Sequence, residues 1–319
     1  MHEFEIIKKY FSKISKKNKS ALNLNDDVFF DKKKNLVISV DTYIEGSHFL
    51  NFNKPDLVIK KIIRSSISDL ICKGVEPKFY FISGSGNKNS FSKKNLLKIS
   101  KSLKEEQKKF NILLCGGDTT FSNKLSFSIT SVGYSKKIIY RNKAKLNDNI
   151  FVTGNLGDSF IGLQVLRKKI SFKKKINDYF LNKYFKPNIQ IALAKKLLNF
   201  ANSSIDISDG LIADLEKMIN NLKLSYQLNE SEIPVSKNML NLIKNHNYKK
   251  IKLVSKGDDY QILFTARPSK SRIIIKTSKA LGIKITKIGK IISRSKKNTI
   301  IDQKGKEIEV KNKGYIHKF

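Results

Sequence analysis

Apolar residues recur along this chain with two different periods, and the periods alternate. Residues 4–15 space Phe4, Ile7, Phe11 and Ile14 three to four apart, which predicts a helix with one apolar stripe. LVISV (36–40) is a short β-branched run ending at Asp41 and predicts a strand. From 57 to 72, Val58, Ile59, Ile62, Ile63, Ile67, Leu70 and Ile71 fall on one helical face. FYFISGSG (79–86) reads as a strand entering a loop, and 94–110 as an amphipathic helix through Leu96, Ile99, Leu103 and Phe110. NILLC (111–115) reads as a strand that stops at Gly116-Gly117, and SFSITSVGY (126–134) alternates as a strand.

A charged stretch, 135–149, interrupts the pattern. Beyond it NIFVTGNLGDSFIGLQVL (149–166) reads as strand, glycine turn and helix, and 188–200 as helix. SSIDISDG (203–210) reads as a polar turn, continued as a helix by Leu211, Leu215, Met218 and Leu222. KLVSKGDDYQILFTA (252–266) reads as two strands around a polar bend; a helix, a strand and a closing Lys-Gly-Tyr follow from about 271. The alternation predicts two α/β domains of mixed sheet and flanking helices, 1–138 and 139–319.

Composition narrows the class. With 319 residues, 40% of them hydrophobic, the chain can bury a sizeable core. No run approaches the ~18 apolar residues of a membrane span, and MHEFEIIKKYF lacks the apolar core and cleavage site of a secretory signal. Cys72 and Cys115 form no CxxC pair and no metal spacing, which points to reduced thiols and a cytoplasmic setting. Lys and Arg number 63 against 27 Asp and Glu, a net charge of +36. The lysines occur in nearly every segment, so they read as a diffuse solvated surface that draws in phosphates. A basic nucleic-acid-binding protein is the rival reading; it leaves the chain's recurring acids unexplained, because acids repel phosphate unless a metal intervenes.

Those acids stand at strand ends and glycine turns: Asp26-Asp27, Asp41, Asp69, Asp118, Asp206, Asp209 and Asp258-Asp259. Mg²⁺ in phosphate chemistry takes a few carboxylates together with substrate oxygens, and the lack of His/Cys clustering argues against zinc. Any one of these aspartates could simply cap a turn. Asp69 differs, since it lies inside an apolar helix where a carboxylate is costly without a partner. Gly116-Gly117-Asp118 lets backbone approach a phosphate. TGNLGDS (153–159) could do the same or could only hold a helix on its sheet. There is no P-loop and no protein-kinase catalytic loop.

Taken in order, HEFEII (2–7), NDD (25–27), VDTYIEGSHF (40–49), SDL with KG-Val-Glu-Pro (68–77), GGDTT (116–120), Arg141, VTGNLGD (152–158), IDISDGL with Asp214-Leu215, GDDYQILFT (257–265) and KGY (313–315) resemble the thiamine-monophosphate kinases. The resemblance spans nearly the whole chain, and VDTYIEGSHF together with IDISDGL is its most specific part. It implies the two-domain fold of the aminoimidazole-ribonucleotide-synthetase superfamily, with N-terminal strands joining a partner's in a homodimer. It implies transfer of phosphate from ATP to thiamine monophosphate, with several Mg²⁺ ions. Carried over by position, Asp27, Ser39, Val40 (through its carbonyl), Asp41, Asp69, Asp118, Asp206 and Asp209 match metal positions. Gly117, Asp118, Arg141 and Ser208 match ATP positions, and His48, Asp258 and Tyr315 match substrate positions. Asp41, Asp69, Asp118 and Arg141 are the expected catalytic set.

The sequence departs from the family at three places: Asn25 for a Gly, Val40 for a frequent Thr, and Asp258 for the usual Glu. Sister enzymes of the superfamily fit less well. Selenophosphate synthetase wants a reactive residue in an N-terminal glycine-rich segment, and no cysteine precedes Cys72. The hydrogenase maturation factor wants a C-terminal cysteine where this chain reads IHKF. Aminoimidazole-ribonucleotide synthetase should lack VDTYIEGSHF.

Overall fold

The computed structural model describes residues 3–246 and 248–315. Its strands are β1 (Phe29–Asp31), β2 (Leu36–Ile44), β3 (Pro77–Gly86), β4 (Leu113–Phe121), β5 (Ser126–Tyr134), β6 (Asn149–Thr153), β7 (Ser203–Asp206), β8 (Leu224–Asn229), β9 (Ile262–Ala266), β10 (Ile285–Ser293) and β11 (Thr299–Ile301). The helices are α1 (Glu3–Ile6), α2 (Ser12–Ser15), α3 (Pro55–Cys72), α4 (Lys93–Phe110), α5 (Asp158–Leu166), α6 (Lys174–Phe185), α7 (Ala194–Leu197), α8 (Leu211–Ile219), α9 (Lys237–His246), α10 (Lys250–Val254) and α11 (Ser271–Leu281).

The strands form two mixed sheets, ordered β1-β2-β5-β3-β4 and β11-β8-β10-β6-β9-β7. The first ends at Tyr134 and the second begins at Asn149, so the charged connector carries the chain from one to the other. Helix α3 is the shared element. Ile59, Ile62, Ile63, Ile67 and Ile71 join a core that also holds Phe127 and Ile129 of the first sheet and Phe151 and Phe264 of the second. Because α3 is enclosed on nearly all sides, its polar residues need internal partners. Arg64 gives two hydrogen bonds to Glu106 of α4, at 2.7 and 2.9 Å. Ser66 Oγ lies 2.9 Å from Ser131 Oγ of β5.

Several expectations change on folding. NILLC does not stop at the glycines: β4 continues through Gly116-Gly117-Asp118 to Phe121, paired in parallel with β3. Glycine is required there by space, since a Cβ at Gly117 would lie 1.8 Å from the Ile82 carbonyl oxygen. SSID is a buried strand rather than a turn, because β9 and internal acceptors satisfy it; Ser204 Oγ donates to the Leu263 carbonyl. Of the two strands expected in 252–266 the first is instead α10, a short helix that buries Ile251, Leu253 and Val254. The helix expected over 188–200 is reduced to a 3₁₀ turn (Ile191–Leu193) and α7. Helix α6 opens on Lys174-Lys175 and buries Phe180, Tyr184 and Phe185. The N-terminal segment is helical, but Phe11 and Ile14 are exposed, because nothing among the described residues covers them. His2 and the IHKF tail beyond Tyr315 lie outside the described residues.

Candidate active site

A cleft of about 990 Å³ gathers most of the sequence-predicted residues. Asp27, Val40, Asp41, His48, Asp69, Arg141, Asp206, Ser208, Asp209, Asp258 and Tyr315 all line it. Ser39 stands just behind, donating from Oγ to Asp69 Oδ2 at 2.5 Å. Gly117 and Asp118 are not in its lining; they sit on β4, which is exposed along its whole length.

The local folding explains the convergence. Strand alternation on β2 buries Ser39 and Tyr43 and leaves Val40 about two-thirds exposed. Helix α3 then carries Asp69 beside Ser39. Strand β7 delivers Asp206, which accepts a hydrogen bond from Ser68 Oγ of α3. The following loop turns through Gly210, whose φ of 127° and lack of room for a Cβ beside the Ser255 carbonyl suit only glycine. The C-terminal segment closes on the same loop: the Tyr315 amide donates to the Asp209 carbonyl at 2.9 Å.

The carboxylates divide into two electrostatic sets. Asp27 lies 2.9 Å from Lys73 and 2.8 Å from Arg141, and Asp26 lies 2.7 Å from Lys73. Burial alone would raise the Asp27 pKa, but Lys73 and Arg141 outweigh it and hold this carboxyl below its ordinary range. Asp209 pairs with Lys217 at 2.5 Å, and Asp258 with Lys61 at 2.5 Å.

Asp41, Asp69 and Asp206 form the second set. Among the described residues none of the three has an ion-pair partner within 4.0 Å; hydroxyls of Tyr43, Ser39 and Ser68 serve them instead. Burial raises all three, and neighbouring carboxylates add to it: Asp41 to about 6, Asp206 to about 7, and Asp69 well above the usual carboxylate range. A cation among them would relieve that cost. No three His, Cys, Asp or Glu side chains among the described residues converge on a single metal-sized point. An ion here would therefore draw on these carboxylates singly or in pairs and complete its shell with water and phosphate oxygens, the usual manner of Mg²⁺. The residues fit that cation and not a closed all-protein cage.

Aromatic side chains line the cleft beside these acids. His48 Nδ1 accepts from the Ile44 amide at 3.0 Å, so its ring nitrogen Nε2 carries the proton, and its ring meets Tyr43 edge-on at 5.9 Å. Tyr184 and Tyr260 gather with Asp258 around Lys61, and Phe160 also lines the cleft.

The first sheet matches the family model described as AIR synthase related protein, N-terminal domain, over residues 23–135. A thiamine-monophosphate kinase from Buchnera aphidicola of Schizaphis graminum is 36% identical over 99% of this chain and 98% of its own. One from Haemophilus influenzae is 33% identical over 91% of this chain and 89% of its own. The chain belongs to the thiamine-monophosphate kinase family. Among solved structures, AaThiL complexed with AMPPCP and TMP is 26% identical with a TM-score of 0.84, covering 99% of this chain and 97% of that one. The thiamine-monophosphate kinase from Stenotrophomonas maltophilia has a TM-score of 0.77 at 23% identity, over 94% of this chain and 98% of that one, and shows the shared fold.

Within this family frame, sequence reasoning missed the cations. Lys61, Lys73 and Lys217 are buried or nearly so, yet lysines as a class read as surface charge. A signal existed for Lys61, which interrupts the apolar run between Ile59 and Ile62. Lys73 and Lys217 carried none. Among the described residues no helix is long and apolar enough to cross a membrane.

Proposed function

We propose that this protein phosphorylates thiamine monophosphate to thiamine diphosphate with ATP and Mg²⁺, by direct in-line transfer. The observation that carries the reading is the set of three carboxylates without an ion-pair partner among the described residues, Asp206 buried and Asp41 and Asp69 half-buried, in one cleft with Arg141. Family membership and a relative complexed with AMPPCP and TMP support the choice of substrates.

The acceptor is a phosphate monoester, whose second pKa of about 6 leaves it largely anionic at neutral pH. Its oxygen needs no general base. The obstacle is one anion approaching another, so the work is neutralisation and alignment. Mg²⁺ held by Asp27, Asp41, Asp69, Asp206 and Asp209, with Ser39 behind Asp69 and the Val40 carbonyl at the rim, would supply positive charge to the phosphates. Arg141, fixed by Asp27, adds a guanidinium, and Ser208 adds a hydroxyl on the nucleotide side. His48, Asp258 and Tyr315 receive the organic part of the acceptor.

Gly117 and Asp118 enter through a second copy in this reading. All nine residues of β4 are exposed, with Leu113, Leu114 and Phe121 among them, and an unpaired apolar edge invites a partner strand. A homodimer joined there would carry Asp118 toward a nucleotide site. A cytoplasmic setting agrees with Cys72 and Cys115 both being free thiols.

The test is direct. Purified protein is incubated with ATP, Mg²⁺ and either thiamine or its monophosphate. The diphosphate should form from the monophosphate and only with metal; no diphosphate from either acceptor overturns the reading.

A further inference from the structure

The acceptor end of the cleft contains a buried cation with no part in the chemistry above. Lys61 of α3 is 1% exposed, and its Nζ stands 2.5 Å from Asp258 Oδ1. The ammonium lies 4.1 Å from the ring centroid of Tyr184 and 5.6 Å from that of Tyr260, and donates to the Tyr184 carbonyl at 3.5 Å. Burial presses Lys61 toward its neutral form, and Asp258 resists that. Buried pairs of this kind contribute little net stability, since desolvation offsets the attraction. Stability therefore does not account for this one.

Asp258 is held as tightly as Lys61. Its φ is 69°, an uncommon region for a residue with a side chain, and its amide donates to the Ser208 carbonyl at 2.7 Å. Gly257 before it has no space for a Cβ, which would lie 2.2 Å from the same carbonyl oxygen. Asp259 points the other way and accepts from the Gly157 amide at 2.7 Å; Tyr260 returns to the cleft with its amide on the Ile207 carbonyl at 2.8 Å. Backbone and Lys61 together restrain Asp258 at both ends, its amide on Ser208 and its Oδ1 on the ammonium. The exposed member of the pair is the carboxylate, about a quarter exposed, and Tyr184 and Tyr260, whose rings flank Lys61, line the cleft with it.

We propose that Lys61 is a positioning residue that sets acceptor specificity: by fixing one oxygen of Asp258, it presents this carboxylate to a cationic or amino-bearing ring of the acceptor, between Tyr184 and Tyr260. The inference rests on the kinase reading and concerns how its acceptor is chosen. A carboxylate so fixed discriminates by geometry, because an acceptor without a matching donor covers the other oxygen of Asp258 and leaves it without a hydrogen bond.

The experiment is steady-state kinetics of the full chain with ATP, using thiamine monophosphate and, as a second acceptor, a phosphate monoester without a cationic ring. Lys61→Arg keeps the charge but not the length. It should raise KM for thiamine monophosphate about tenfold while KM for ATP stays within about twofold. Asp258→Asn should do the same, and the double variant should be no worse than Asp258→Asn alone, because Lys61 acts through Asp258. Discrimination between the two acceptors should shrink in each variant. Melting temperatures monitor folding; if Lys61→Met fails to fold, Lys61→Arg and Asp258→Asn still decide. A folded Lys61→Arg with unchanged acceptor KM, or losses that simply add in the double variant, overturns the inference. Wild type without turnover on thiamine monophosphate instead overturns the kinase reading beneath it.

Discussion

Ser39 of β2 donates its hydroxyl to Asp69 of α3 across 2.5 Å, and this one contact ties the first sheet to the central helix at the floor of the cleft. The bond gives Asp69 a neutral donor where Asp27 and Asp209 have lysine or arginine. Its carboxylate stays aimed but uncompensated.

Ser39→Ala removes that aim without altering charge. The fold should persist, with kcat reduced about tenfold and the Mg²⁺ concentration for half-activity raised, as for loss of a residue that orients a ligand. A Mg²⁺ titration of initial rates checks it; a curve superimposable on wild type would detach Ser39 from the site.

Asp206→Asn tests the cation-free set by opposing activity and stability. A carboxyl whose folded pKa is raised, here to about 7, binds more protons folded than unfolded between the two values. Metal-free protein should therefore lose stability as pH rises from about 4 to about 7, the interval between the unfolded and folded pKa. Asp206→Asn removes this penalty and should raise the metal-free melting temperature at pH 8 by roughly 2–6 °C while cutting turnover at least about a hundredfold. Added Mg²⁺ should stabilise wild type more than the variant in thermal melts from pH 5 to 8.

Lys217→Met should behave in the opposite way. Lys217 lies 2.8 Å from Asp214, which is fully buried and also accepts from the Asp209 and Gly210 amides. Removing the cation strands a buried charge, a loss of about 3–5 kcal/mol. Urea denaturation at pH 8 should show a lowered midpoint, and activity should fall with it.

Phe121→Asp addresses the exposed edge. Phe121 is 75% exposed on β4, so a lone subunit tolerates the change. If β4 joins a second copy, the new charges oppose each other across the edge and the assembly dissociates. Light scattering on eluted protein should give a dimer for wild type and a monomer for the variant, with activity lost because Asp118 no longer reaches a site. A monomeric wild type with full activity would remove β4 from the proposal.

Much of this was readable from the chain alone. The buried face of α3 followed from isoleucines spaced three to four apart, β2 from a short β-branched run and β5 from its alternation. Of the fourteen site residues carried over from the family resemblance, eleven line one cleft. Where the reading failed, composition misled it. Strand β7 opens on two serines that only a neighbouring strand makes acceptable in a core. Periodicity reports which side of an element is apolar; it is silent about polar residues whose partners come from elsewhere in the chain.

What the chain's own pattern fixed was the long amphipathic helices, the strands with a clear apolar run, and which aspartates stand at turns, because backbone periodicity and glycine placement are local properties. Only the tertiary structure decided which of those aspartates acquire a cation. Lys73 meets Asp27 across 46 residues of chain, and Lys61 meets Asp258 across 197. Asp41, Asp69 and Asp206 meet no cation among the described residues. Charge compensation is a matter of distance in space and of solvent exclusion, and neither is written in the spacing of residues along a chain.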